Sequence, residues 1–199
     1  MQVLLTTPLI NIHASGRNET LESLQASLPS KQIKRMRQKH TANLEFVTTK
    51  SPFISEDTDA LITNDPNVAL AVNAADCLPI IGWHKNGIRF SIHAGRVGTE
   101  KDILKKTLIF IKDTIGIKDD LSLWFGPHIC KDCYEVDRDN GTTYNLREKN
   151  TSQAISVFPD LRNKIFYSEY CTAHHNDQWY SYRKEGKGVS MNWFLISQT

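Results

Sequence analysis

Val68-Ala-Leu-Ala-Val72, Asn-Ala-Ala-Asp76-Cys77, Leu78-Pro-Ile-Ile-Gly-Trp83, His-Lys-Asn86-Gly87 and Ile88-Arg-Phe-Ser-Ile-His93 follow one another without a break. The first segment is an unbroken apolar run of strand length, the pattern of a strand buried on both faces. Leu78–Trp83 is a second such run, and Asn86-Gly87 is the dipeptide of a tight hairpin turn. Residues 88–93 therefore return beside Leu78–Trp83. The hairpin has a chemical consequence. Cys77 precedes its first strand and His93 closes its second, so both stand at one end of the sheet. Cys77 alone reads as an inert buried thiol, and His93 alone reads equally as a core histidine. Together they suit metal ligation or a nucleophile and its base.

Downstream, Gly95 and Gly98 open a helix expected over residues 99–115. Ile103, Leu104, Thr107, Leu108 and Ile111 form its amphipathic stripe, and Gly116 closes it. Backbone N–H groups at such a helix start can receive an anion, although glycines there also serve plain tight turns. Strands are expected over residues 121–125, 164–167 and 191–196, extended chain over 134–136, and a helix over 144–158. Upstream, residues 1–12 read as a strand and its exit, 19–28 as a short helix, and 44–48 as a strand. The basic residues 31–39 read as the solvated face of a short helix. No repeat or linker interrupts the pattern. One α+β domain over residues 1–199, mixed sheets covered by helices, is the economical reading.

The 24 basic and 22 acidic residues nearly cancel, giving +2 and no basic stripe of the kind that nucleic-acid binding requires. No apolar run reaches the roughly 18 residues of a membrane span. The opening Met1-Gln-Val-Leu-Leu-Thr-Thr has neither a basic n-region nor a long apolar h-region, so a cytoplasmic location is expected. Four cysteines are too few for a disulfide scaffold and suit reduced thiols. Cys130-x-x-Cys133 has no second Cys-x-x-Cys and reads as incidental, and His174-His175 reads as a polar loop. Tyr182 and Arg183 suit base stacking and anion binding, or ordinary strand-edge packing.

Six elements, in order, resemble the YfiH-like family, whose names include multicopper polyphenol oxidase, purine nucleoside phosphorylase and peptidoglycan editing factor. They are Gln38-Lys-His40, Asp59-Ala-Leu-Ile-Thr63, Ala74-Ala-Asp76-Cys77-Leu-Pro79, and His93-Ala-Gly95 with Gly98. Gly126-Pro-His-Ile129 with Tyr134-Glu-Val136 follows, then Cys171-Thr172 with Tyr180-Ser-Tyr182-Arg183. The likeness runs from Gln38 to the C-terminus. Departures are the missing N-terminal Arg-x-Gly-Gly-x-Ser element, Ala74 in place of threonine, and Arg96-Val97 in place of Trp-Arg.

The resemblance implies a YfiH-like fold and a zinc site of His40, Cys77 and His93, with copper as the alternative metal. His40 joins this set through the resemblance alone. It further implies Cys77, His93 and Asp76 as catalytic residues; the helix-start residues Gly95, Arg96 and Gly98, with Tyr182 and Arg183, are expected as substrate or phosphate contacts from their own chemistry. The expected reaction is phosphorolysis of purine nucleosides, with adenosine deamination as a companion activity. The expected partners are small molecules, a purine nucleoside and phosphate, for a monomer or weak homo-oligomer. Two alternatives remain: a Cys/His amidase acting on peptidoglycan precursors, and a degenerate member that binds without turnover.

Overall fold

A computed structural model describes residues 2–137 and 139–199. The chain opens with β1 (Gln2–Thr6), β2 (Ile10–Ala14), α1 (Leu21–Ser27), β3 (Gln32–Met36), β4 (Leu44–Phe46) and β5 (Ile54–Ser55). Its centre is β6 (Ala60–Thr63), β7 (Val68–Ala74), β8 (Leu78–Trp83), β9 (Arg89–Ala94), α2 (Arg96–Glu100) and α3 (Ile103–Phe110). β10 (Ser122–Phe125), β11 (Glu135–Asp137), β12 (Thr142–Thr143), α4 (Leu146–Val157), β13 (Ile165–Tyr167), α5 (Tyr182–Glu185) and β14 (Asn192–Gln198) complete it.

Two six-stranded mixed sheets result, ordered β1-β2-β14-β7-β3-β5 and β13-β10-β8-β9-β6-β4. Side chains alternate across a strand, so each strand feeds two layers. Val68, Leu70 and Val72 of β7 meet Leu61, Ile81, Trp83 and Trp124 of the other sheet in the central core. Ala69 and Ala71 face the opposite way, against Leu21 and Leu24 of α1. Leu78 and Ile80 of β8, with Phe90 and Ile92 of β9, pack against Leu104 and Leu108 of α3 and Ala154 of α4. The layers run helix, sheet, sheet, helices, which matches the α+β expectation.

The β8–β9 hairpin forms as read, with Pro79 opposite His93 and Gly82 opposite Phe90. Two local expectations are corrected. The basic stretch 31–39 is a strand, β3, paired parallel to β7 and β5. Ile33 and Met36 are buried, and the buried Lys34 ammonium donates to the carbonyls of Thr49 and Ser51 at 3.3 and 2.6 Å. Those carbonyls offset a burial that the charge pattern argues against. The helix expected over 99–115 is broken: Asp102 takes φ 62° between α2 and α3, and a π-turn, Ile111–Ile115, follows. Its apolar stripe is nevertheless buried as read. Residues 1–12 divide into the β1–β2 hairpin, with Met1 outside the described residues.

A Cβ at Gly82 would lie 2.0 Å from Cζ of the fully buried Phe90. Gly82→Ala should therefore destabilise the fold by about 1–3 kcal/mol or more, read as a lowered urea midpoint at constant m-value.

Candidate metal centre

Three connections that cross from one sheet to the other supply the site. His40 lies on the crossing from β3 to β4, Asp59 on that from β5 to β6, and Asp76 and Cys77 on that from β7 to β8. His93 arrives from the end of β9.

Asp59 organises two of these pieces. Its buried carboxylate accepts the N–H groups of Lys39, His40 and Thr41 at 3.2, 3.2 and 2.7 Å. It also accepts the Thr41 hydroxyl at 2.7 Å and meets His93 Nδ1 at 2.8 Å. The grip on the backbone holds His40 at φ 57°, a left-handed conformation few residues adopt unaided. The carboxylate contact holds a His93 proton on Nδ1, so that Nε2 is the nitrogen that would give its lone pair to a metal once it has lost its proton, the usual carboxylate–histidine–metal arrangement.

Asp76, at φ 89°, makes the sharp exit from β7 that presents Cys77. Its carboxylate accepts the Thr172 hydroxyl and the Arg183 N–H, both at 2.6 Å, while its carbonyl accepts Ile129 N–H at 3.0 Å. Both carboxylate oxygens are thus engaged in holding the loop.

Cys77 Sγ lies 3.7 Å from His40 Nε2, and one ligand atom from each of His40, Cys77 and His93 falls within 4.8 Å of the others. Tetrahedral zinc, with Zn–S about 2.3 Å and Zn–N about 2.0–2.1 Å, separates its ligand atoms by roughly 3.3–3.8 Å. The donor set and spacing fit such an ion, and three protein ligands leave a fourth position open. The glycine that follows has a specific reason here. A Cβ at Gly95 would sit 2.7 Å from His40 Cδ2 and 2.8 Å from Cys77 Sγ. Gly98 lets α2 approach the Thr41 carbonyl, where a Cβ would be at 3.2 Å.

Burial pushes the Cys77 thiol up, but His93 and His40 beside it reverse this and bring it down to about 6. Burial lowers His93, and the Cys77 thiolate with Asp59 overcomes it, raising the imidazole to about 9. Burial opposes ionisation of Asp59, yet the bonds from His93 and Thr41 hold it down at about 2.

The site opens into a cleft of about 970 Å³. Arg35, Arg37, Arg183 and Lys187 bring cations to its wall, and Tyr134 and Tyr182 bring rings. Tyr182 and Arg183 begin α5 rather than a strand. The Arg183 guanidinium donates to the Glu135 carbonyl at 2.6 Å and lies 5.9 Å from the Tyr134 ring centroid. Arg96 pairs with Glu100 at 3.0 Å on the same short helix and does not line the cleft. Asp59, Tyr134, Arg35, Arg37 and Lys187 were not singled out as site residues from the sequence. An acid directly before an apolar strand, in Asp59-Ala60-Leu-Ile-Thr63, was the signal available for Asp59.

A family model described as multi-copper polyphenol oxidoreductase laccase matches residues 13–196. The chain belongs to this YfiH-like family. It is 40% identical over 81 residues to a purine nucleoside phosphorylase of Campylobacter jejuni, covering 40% of this chain and 36% of that one. It is 26% identical over 190 aligned residues to purine nucleoside phosphorylase YfiH of Escherichia coli, covering 85% and 76%. The chain spans from about a third to half the length of the Campylobacter relative and its mycobacterial counterparts. In fold it resembles the crystal structure of Bacillus licheniformis hypothetical protein YfiH, with TM-score 0.86 and 19% identity, covering 96% and 93% of the two chains. Among the described residues no helix of this family member is long and apolar enough to cross a membrane.

Two outcomes test the site. Asp59→Asn should weaken zinc binding by about 10–100-fold, the usual cost of losing a ligand's carboxylate partner; a chromophoric chelator in competition measures it, and unchanged affinity would remove Asp59 from the site. In chelated protein the depressed Cys77 pKa keeps the thiolate above about pH 6 and loses it as pH falls through that value. Iodoacetamide labelling of Cys77 should follow that titration, well below the range of an ordinary thiol near 8.5.

Proposed function

We propose that this chain is a zinc-dependent purine nucleoside phosphorylase, taking adenosine, inosine or guanosine and phosphate to free base and ribose-1-phosphate. The observation that carries the reading is the convergence of His40, Cys77 and His93 on a cleft with four cationic side chains and two tyrosines. The names of the relatives support it.

In this reaction the C1′–N bond breaks, its electron pair and a proton go to the base, and a phosphate oxygen bonds C1′. The chain must hold an anion, a flat base and a sugar in line. Arg35 and Arg183 are the groups for phosphate, since guanidinium matches its oxygens in a bidentate fork, while Arg37 is paired with Glu56 at 2.8 Å. Tyr182, 53% exposed on the cleft wall, is the stacking surface for a purine. Burial, reinforced by nearby Cys77, pushes the Tyr134 phenol up to about 12, so it stays a hydrogen-bond donor. Asp76 acts by position: it fixes Cys77 on one side and the start of α5 on the other. Bound zinc would supply Lewis-acid polarisation of a substrate oxygen at its open position. Copper also accepts two imidazoles and a thiolate, so elemental analysis accompanies the assay.

A second reading has its own observation. Asp59, His93 and Cys77 form a carboxylate–imidazole–thiol series, the arrangement of a nucleophile with an oriented base, which would serve amide hydrolysis on a peptidoglycan precursor. His40, 3.7 Å from the same sulfur, has no role in that series and has one in metal binding. The metal reading is therefore preferred.

Zinc-loaded protein incubated with each nucleoside, with and without phosphate, should release free base only when phosphate is present, with ribose-1-phosphate as co-product. Inosine from adenosine without phosphate would identify deamination instead. No product from any nucleoside, with the metal bound and the chain folded, would overturn the proposal. Cys77→Ala should lose both this site's metal and turnover; release of an amine from a peptidoglycan-precursor amide by chelated wild-type protein would favour the amidase chemistry.

A further inference from the structure

The thiols that read as incidental in the sequence are brought together by the fold. β10 and β13 are parallel neighbours, and the chains leaving them continue side by side. Ser168 N–H donates to the Phe125 carbonyl at 2.8 Å, and Thr172 N–H to the His128 carbonyl at 3.1 Å. His128 and Cys171 form an isolated parallel bridge. This pairing delivers Cys130 and Cys133 from one chain and Cys171 and His174 from the other to a single point. One ligand atom from each of the four lies within 4.8 Å of the others.

The spacing is Cys130-x-x-Cys133 and Cys171-x-x-His174, two halves with a common interval. Cys171 does have a partner pattern, completed by a histidine instead of a cysteine. Each half is built on a tight turn: Cys133 and Tyr134 donate N–H to the Cys130 carbonyl at 3.2 and 3.0 Å, and His175 donates to the Cys171 carbonyl at 2.9 Å. Cys130 N–H donates to Cys171 Sγ at 3.3 Å, tying the two segments through that sulfur. Such a donor is what a metal-bound thiolate accepts. Cys133 Sγ is 3.3 Å from His174 Nε2, and Cys130 Sγ is 3.8 Å from His174 Nδ1. An imidazole ligates through one of its nitrogens, so one of these two contacts is an edge of the site; a tetrahedral S···N edge is about 3.6 Å, between the two. His174 and His175 are divided in role, since His175 Nδ1 faces the Cys171 carbonyl at 3.2 Å.

We propose that Cys130, Cys133, Cys171 and His174 form a second metal site, a closed Cys3His zinc centre separate from His40, Cys77 and His93. Four protein ligands complete the tetrahedron, so the ion has no open position and is structural. It clips together two segments that carry the cleft wall. Tyr134 follows Cys133 directly, and Thr172, which follows Cys171, holds the carboxylate of Asp76 at 2.6 Å. A disulfide between Cys130 and Cys133 would use two of the four groups and leave Cys171 and His174 without a task. The inference does not depend on the reaction proposed above.

The full chain, purified with zinc supplied, should hold about two zinc ions, as two independent sites require. Cys130→Ser with Cys133→Ser should leave about one, and Cys77→Ser should also leave about one, each by emptying its own site. One zinc in the wild type, lost with Cys77→Ser and kept in the double variant, would overturn the proposal. Because the double variant can fail to fold, the wild type is tested directly as well. In zinc-loaded protein Cys130 and Cys133 should resist iodoacetamide and become labelled after chelation. Labelling indifferent to chelation, or a Cys130–Cys133 disulfide in protein kept reduced, would overturn it. Anomalous scattering at the zinc edge should show a peak among the four side chains; a peak at His40, Cys77 and His93 alone would refute it.

Discussion

A carboxylate taken fully out of water costs several kcal/mol unless its lone pairs are answered, and Asp59 is fully buried. Five donors answer it: three backbone N–H groups, one hydroxyl and one imidazole. Its main chain is tied as tightly. Asp59 N–H donates to the Asn43 carbonyl at 3.1 Å, and its carbonyl accepts His93 N–H at 2.9 Å. One residue therefore joins the 39–43 loop, the start of β6 and the end of β9. The left-handed backbone at His40 and the ring orientation of His93 both follow from it, and the candidate metal centre inherits its geometry.

The two-sheet architecture explains why the site lies where it does. A strand end is a poor place to leave polar backbone, and a crossing between sheets leaves several such ends together. Here the crossings after β3, β5 and β7 meet at one edge; Asp59 joins the first two, and Asp76 ties the third to Thr172 and Arg183. The two sheets bury their facing side chains against each other, so the crossings are held by a rigid core rather than by their own short lengths. Sites supported in this way keep their geometry, which is what ligation and in-line transfer both require. The return from β13 to β14 carries Cys171, His174 and Arg183, and so belongs to the same edge.

The two clusters divide the work that cysteine and histidine can do. His40, Cys77 and His93 offer three ligands facing a cleft, with cations and rings opposite. Cys130, Cys133, Cys171 and His174 offer four, wrapped by their own turns, and none of them lines the cleft. Ligand number alone separates an open centre from a closed one. Gly95 marks the first by leaving room for His40 and Cys77, where any side chain would collide.

Much of this was legible in the residues themselves. The apolar runs of β7 and β8, the Asn86-Gly87 turn and the return through β9 follow from local pattern, because alternation and turn chemistry are short-range effects. They placed Cys77 and His93 at one sheet end, and the hairpin register agrees. His40 entered through family resemblance, since one histidine in a loop has no period to reveal its direction. Long-range structure hid the rest. β3 looked helical because its buried Lys34 finds partners 15 and 17 residues away. Asp59 looked like an ordinary loop acid because its donors lie 18 to 34 residues distant in sequence. Cys130 and Cys133 looked incidental because their partners follow some 40 residues later, across a parallel strand pair. Sequence alone determined the strands β7, β8 and β9, their hairpin and the family. Which charges are buried, which thiols meet and where the cations gather were decided by tertiary structure, since those contacts exist only once the two sheets have closed.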